Sequence, residues 1–263
     1  MNKIVRRILI GALAVSIPVG GSIFYFYNKG NSENNSEIKE DIDKKDKDID
    51  KKDDNVNHPK TDAKISNPHK EVIDMFRKGY NNQEIVGVIS IPDTSINSVV
   101  VQHEDNDYYL NHGLVNDENV EGAVYLDYRV KINTGRKNII YGHNGDSELL
   151  NVPFNELEKY YDQDFFSNHQ FINLEDEDGI GIYQIFSVYV EVNDLNYMYL
   201  NFKTDSSWLE HINYLKNKSM YDTGVTVDET DEILVLQTCS HNENYAKYKN
   251  KYLLVIAKRV KYE

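Results

Sequence analysis

A single cysteine, Cys239, rules out an intramolecular disulfide, so packing alone must hold the fold. It also denies a metal site its usual thiolate cluster, and the 8 histidines lack ligand spacing, so neither a metal nor any other cofactor is expected. Basic charge is short: 29 Lys and Arg stand against 43 Asp and Glu, a net charge of −14. Neutralising phosphates needs a basic face, and no basic cluster lies in the folded region, which excludes a nucleic-acid partner. Proline is scarce, with 5 copies, whereas tyrosine has 20 and 40% of residues are hydrophobic. That balance suits a β-rich domain with a sizeable core.

The chain reads as four stretches. Residues 8–27 carry no charge and are long enough to cross a bilayer as a helix. Lys3, Arg6 and Arg7 precede them, which makes 1–7 a cytoplasmic N-terminus, 8–27 a single-pass anchor and all that follows extracellular. A cleaved signal peptide has a similar outline, but this apolar run exceeds the usual length and no small-x-small cleavage site follows. Residues 28–65 are a run of Asn, Lys, Asp and Glu with too little apolar surface to offset chain entropy, a disordered charged tether. Residues 66–263 form the folded domain.

That domain opens with a helix signal, Asn67 as N-cap and Pro68 at the first position, then Val72, Ile73, Phe76 and Tyr80 on one face. Beyond it the pattern turns to strands at 85–91, 98–102, 123–127, 138–141, 170–174, 181–192, 232–238 and 252–260, rich in β-branched and aromatic residues. Strands this short and numerous predict a mostly β closed barrel or sandwich. A second helix over 206–218 follows from the spacing of Trp208, Ile212 and Leu215, with Trp208 packing in the core.

Chemistry belongs where strands end in reactive side chains. Cys239 follows Ile233-Leu234-Val235-Leu236-Gln237-Thr238, which sets its sulfur at the rim of the sheet. A nucleophilic cysteine needs thiolate, hence a nearby base or positive charge. His143, in Tyr141-Gly142-His143-Asn144-Gly145, also ends an apolar strand and is flanked by glycines that let a peptide approach. His241 is the rival, but it sits only two positions from Cys239 and chain geometry makes a productive contact harder. His58, His69, His103, His112, His169 and His211 read as surface, capping or packing residues.

These motifs resemble the sortases. Tyr141-Gly142-His143-Asn144 and Leu236-Gln237-Thr238-Cys239 look like the family's histidine and Thr-Cys signatures. Gly87-Val88-Ile89-Ser90-Ile91-Pro92, Asp105-Asn106-Asp107-Tyr108-Tyr109-Leu110 and Leu126-Asp127-Tyr128-Arg129 are similar to class B members. The resemblance covers 68–260 and implies an eight-stranded barrel with an N-terminal helix and a helix between the sixth and seventh strands. It further implies a cysteine transpeptidase of Gram-positive cell surfaces. Such an enzyme cleaves a C-terminal sorting signal, Asn-Pro-x-Thr-x-like, after Thr through a thioester on Cys239. It then passes the acyl group to a cell-wall precursor or pilin amine, with His143 moving protons. Asn106, Leu110, Tyr141 and Thr238 would touch substrate, with the loop of 193–226 forming a wall.

One departure stands out. The family carries an arginine at the start of the last strand, where this chain reads Lys249-Asn250-Lys251-Tyr252-Leu253. Counting back from Ala257-Lys258 puts Tyr252 there, and a one-residue slip puts Lys251 there. The expectation is that Lys251 supplies the charge, with Tyr252 as its rival and Arg129 or Arg136 as substitutes from a loop. The missing arginine also keeps open a noncatalytic, sortase-like scaffold. Another cell-wall cysteine peptidase or L,D-transpeptidase is the remaining alternative, disfavoured by the His-before-Cys order and by the absence of a Ser-x-Gly-Cys-Arg pattern.

Overall fold

The structure is a computed structural model that describes residues 18–19, 22–23, 67–145, 152–192 and 194–263. The chain divides into two units, Met1–Asp62 and Ala63–Glu263. In the first, β1 (Pro18–Val19) pairs antiparallel with β2 (Ser22–Ile23), Pro18 opposite Ile23. The membrane anchor expected over 8–27, and with it the single-pass location and the extracellular placement of 66–263, is therefore corrected. The described part of that run is strand, and among the described residues no helix is long and apolar enough to cross a membrane. Pro18 has no N–H to give a helical ladder, and Gly20 and Gly21 follow it in the sequence. The rest of 8–27, residues 1–7 and the tether over 28–65 lie outside the described residues.

The second unit begins with α1 (Pro68–Tyr80). The side chain of Asn67 accepts from the N–H groups of His69 and Lys70, Pro68 fills the first turn, and Asn81 ends the helix at φ 51°. The helix buries Val72 and Ile73. Eight strands follow: β3 (Ile85–Ser90), β4 (Asn97–Val101), β5 (Val124–Leu126), β6 (Lys137–Tyr141), β7 (Phe171–Glu175), β8 (Ile180–Glu191), β9 (Ile233–Cys239) and β10 (Tyr252–Tyr262). They close in the order β10-β8-β7-β3-β4-β5-β6-β9, with β9 back against β10. Closure leaves no edge strand, which suits sequences this rich in Ile, Val and Leu. Two neighbouring pairs are parallel, β4 with β5 and β6 with β9. The second of these needs a long crossover, which contains β7, β8 and α3 (Asp205–Asn217).

Alternation along each strand builds two apolar layers. Ile140, Leu234, Leu236, Leu253 and Val255 fill the barrel interior. Ile139, Tyr141, Val235, Leu254 and Ile256 face an outer layer that Trp208, Ile212 and Leu215 of α3 cover. Trp208 is fully buried and its indole N–H donates to the Asp231 carbonyl at 2.9 Å, the packing role expected of it. The expected barrel with an N-terminal helix and a helix between the sixth and seventh barrel strands is what the chain adopts. A segment not read from the sequence, the 3-10 stretch Pro153–Tyr161 followed by α2 (Gln163–Asn168), closes one side of the barrel.

Candidate active site

The parallel pairing of β6 with β9 sets Tyr141 opposite Gln237. Two residues past that last pair the chains reach His143 and Cys239, each with the parity of the paired residue before it. Three bonds hold the two chain ends together past the ladder. The Gly142 N–H donates to the Gln237 carbonyl at 3.2 Å, the Thr238 hydroxyl to the Gly142 carbonyl at 2.8 Å, and the Asn144 amide to the Cys239 carbonyl at 2.9 Å. Cys239 itself is exposed.

The His143 ring is fixed from its far side. Nε2 lies 2.8 Å from the Leu110 carbonyl oxygen, which can only accept, so Nε2 carries the hydrogen and Nδ1 is the ring nitrogen without one. Gly122, at φ +58°, makes room for the ring: a Cβ there would stand 2.9 Å from His143 Cδ2 and 2.5 Å from the Tyr109 carbonyl. His241 turns elsewhere. Its N–H donates to Glu158 at 2.7 Å and its Nδ1 lies 3.7 Å from the same carboxylate.

On the other side of Cys239, the antiparallel ladder with β10 places Tyr252 directly opposite the cysteine. Leu254 and Ile256 belong to the outer layer, so Tyr252 shares the face of Cys239. Lys251 has the parity of Leu253 and Val255, which point inward, and its carbonyl accepts from the Ser240 N–H at 2.9 Å. The arginines considered as substitutes are engaged. Arg136 pairs with Asp205. Arg129 grips the fully buried Asp127 with Nε at 2.8 Å and Nη2 at 2.7 Å. Burial alone would raise the Asp127 carboxyl, but the Arg129 bonds and the Tyr141 hydroxyl outweigh it and hold it below the usual range.

The remaining expected contacts divide. Asn106 donates to Asp127 at 3.2 Å and accepts from the Tyr128 N–H, a structural bridge between its loop and the end of β5. Leu110 contributes its carbonyl to His143. Tyr141 and Thr238 are buried, with their hydroxyls committed to Asp127 and Gly142, so neither offers a hydroxyl to a ligand. Two tyrosines absent from the sequence reading lie close to Cys239. Burial raises both Tyr125 and Tyr197, and charge on Cys239 adds to the effect in each, so both hydroxyls stay protonated. Tyr197 donates to Gln237 at 2.7 Å from the segment after β8. Both tyrosines come from elements far from Cys239 in sequence, and only the tertiary fold brings them there.

Fold and strand ends together define a barrel-type cysteine enzyme. A family model described as the Sortase domain matches residues 89–260, and the chain belongs to the sortase family of cysteine transpeptidases. Its relatives are of class B. It is 34% identical to Sortase B of Listeria monocytogenes over 190 residues, 71% of this chain and 75% of that protein. It is 31% identical to Sortase B of Staphylococcus aureus over 182 residues, 68% of this chain and 72% of that one. A Staphylococcus aureus sortase B–substrate complex superposes with a TM-score of 0.64 at 28% identity, covering 73% of this chain and 87% of that one.

Proposed function

We propose that this transpeptidase cleaves a C-terminal sorting signal of the Asn-Pro-x-Thr-x kind after its threonine and passes the acyl group to a cell-wall precursor or pilin amine. The observation that carries the reading is the parallel β6–β9 pairing, whose adjacent strand ends lead into His143 and Cys239. Cys239 passes its thiol proton to His143 Nδ1, Sγ attacks the threonine carbonyl carbon, an S–C bond forms and the peptide C–N bond breaks. The departing amine takes a proton from His143. The incoming amine then attacks the thioester, gives its proton to His143 and expels the thiolate.

The third role falls to Tyr252 rather than Lys251. The Tyr252↔Cys239 pairing supports it, and its hydroxyl is a neutral donor to the oxyanion of each tetrahedral intermediate. The substrate bound to the Staphylococcus aureus relative supports a peptide in the corresponding groove here. A fluorogenic Asn-Pro-x-Thr peptide, incubated with and without triglycine, tests the reading. Cleavage, a thioester mass on Cys239 and its transfer to triglycine are expected. No adduct, with no sensitivity to thiol reagents, would favour a noncatalytic scaffold.

A further inference from the structure

The most unusual group outside the strand-end pair is a lysine buried under the groove wall. Lys137 opens β6, four residues before Tyr141, and only 4% of it is exposed. Its odd position along the strand aims it at the outer layer. There its Nζ lies 3.0 Å from the Tyr197 carbonyl, 2.7 Å from the Tyr199 carbonyl and 2.6 Å from His211 Nε2. Three acceptors match the three donors of an ammonium. Phe202 and Trp208 place their rings 5.3 and 5.9 Å from the same nitrogen. The carbonyl between the two, that of Met198, accepts from Arg129 Nη2 at 3.3 Å. Three consecutive main-chain carbonyls of one loop are thus held by two basic side chains, Lys137 from β6 and Arg129 from the loop that leads into it.

A buried lysine is expensive to keep, because burial disfavours its charged form and Arg129 nearby adds to that, together pushing it well below its ordinary value. Nothing in the barrel needs it, since an apolar side chain would fill an outer-layer position of β6 as Ile139 does. What it does secure is the 3-10 turn Asn196–Met198, from which the buried Tyr197 reaches Gln237, two residues before Cys239.

We propose that Lys137 is a positioning residue: with Arg129 it clamps the Tyr197–Tyr199 carbonyls and so fixes the wall of the peptide groove beside Cys239. His211 completes the clamp as the third acceptor. The proposal rests on the sorting-peptide reading of that groove, and it assigns the clamp to substrate binding rather than to bond making. The chain's own amide hydrogens report on the clamp without any substrate.

The experiment compares parent and Lys137→Met by hydrogen exchange and by steady-state kinetics on the fluorogenic sorting peptide. Amides of 196–201 should exchange about tenfold faster or more while those of β9 and β10 keep parental rates. KM should rise about tenfold with kcat within about threefold, and iodoacetamide should alkylate Cys239 at close to the parental rate. Unchanged exchange in 196–201 overturns the clamp. So does a loss confined to kcat. If Lys137→Met loses the barrel altogether, His211→Phe decides, since it removes one acceptor and keeps a ring against Phe202 and Trp208. Faster exchange confined to 196–201 then supports the clamp, and parental exchange overturns it. If the parent itself forms no thioester with any sorting peptide, the kinetic arm falls with the proposed function while the exchange arm still decides the clamp.

Discussion

At the scale of single residues, the proposed oxyanion donor is a neutral side chain. Tyr252 stands opposite Cys239, and a phenol stabilises a developing oxyanion by hydrogen bonding alone, without net charge. Tyr252→Phe should lower kcat by about tenfold to a hundredfold and leave KM near the parental value, because the lost bond forms only in the transition state. Lys251→Ala should cleave the sorting peptide at the parental rate, and the reverse pattern in the two variants would return the role to Lys251. The strand ends that carry Cys239 and His143 were legible in the chain, since apolar runs lead up to both: Cys239 closes β9, His143 lies two residues past β6, and the two strands pair. The choice between Lys251 and Tyr252 was not legible. It turns on which of two consecutive residues faces the cysteine, and that is a property of the β9–β10 register rather than of either residue.

At the scale of elements, alternation and capping carried most of the fold. All eight barrel strands lie within two residues of where their β-branched runs place them, and α1 starts at the Asn67-Pro68 signal. The stretch Pro153–Tyr161 escaped because its buried residues, Phe154, Leu157 and Tyr160, recur every third position, a 3-10 period that neither a strand nor an α-helix template matches. The apolar run 8–27 misled in the opposite sense, since hydropathy over a window of that length ignores the Pro18 that breaks a helical ladder. The 3-10 stretch also bears on the site. A Cβ on Gly142 would stand 2.7 Å from the Phe154 ring, so Gly142 allows the end of β6 to lie against Phe154 with His143 next in line. Gly142→Ala should therefore destabilise the fold by about 1–3 kcal/mol. Thioester formation at a temperature where the variant remains folded should fall further than that loss explains, which parallel melting and adduct mass measurements would show.

At the scale of the whole molecule, the barrel and its outer layer are coupled through groups that refuse protons in the native state. Burial first, and Lys137 second, push His211 from its usual 6.5 down to about 3. Asp127 is also held low, against its own burial, by Arg129 and Tyr141. The two act over different ranges. Above pH 6.5, His211 is neutral in both folded and unfolded chains and contributes no pH dependence. As pH falls below 6.5 the unfolded chain takes a proton that the folded one declines, so stability drops progressively down to about pH 3. Asp127 adds its loss only as pH falls below the usual carboxylate range and through its lowered native value. Acid destabilisation should thus begin well above the carboxylates. His211→Gln, whose amide oxygen still accepts from Lys137, removes the histidine term and leaves the Asp127 term in place. The melting temperature of the parent minus that of the variant should be constant above pH 7 and shrink steadily between pH 6.5 and 4. A difference that stays flat across that range would show that burial and Lys137 do not hold His211 neutral, and would detach α3 from the acid sensitivity of the barrel.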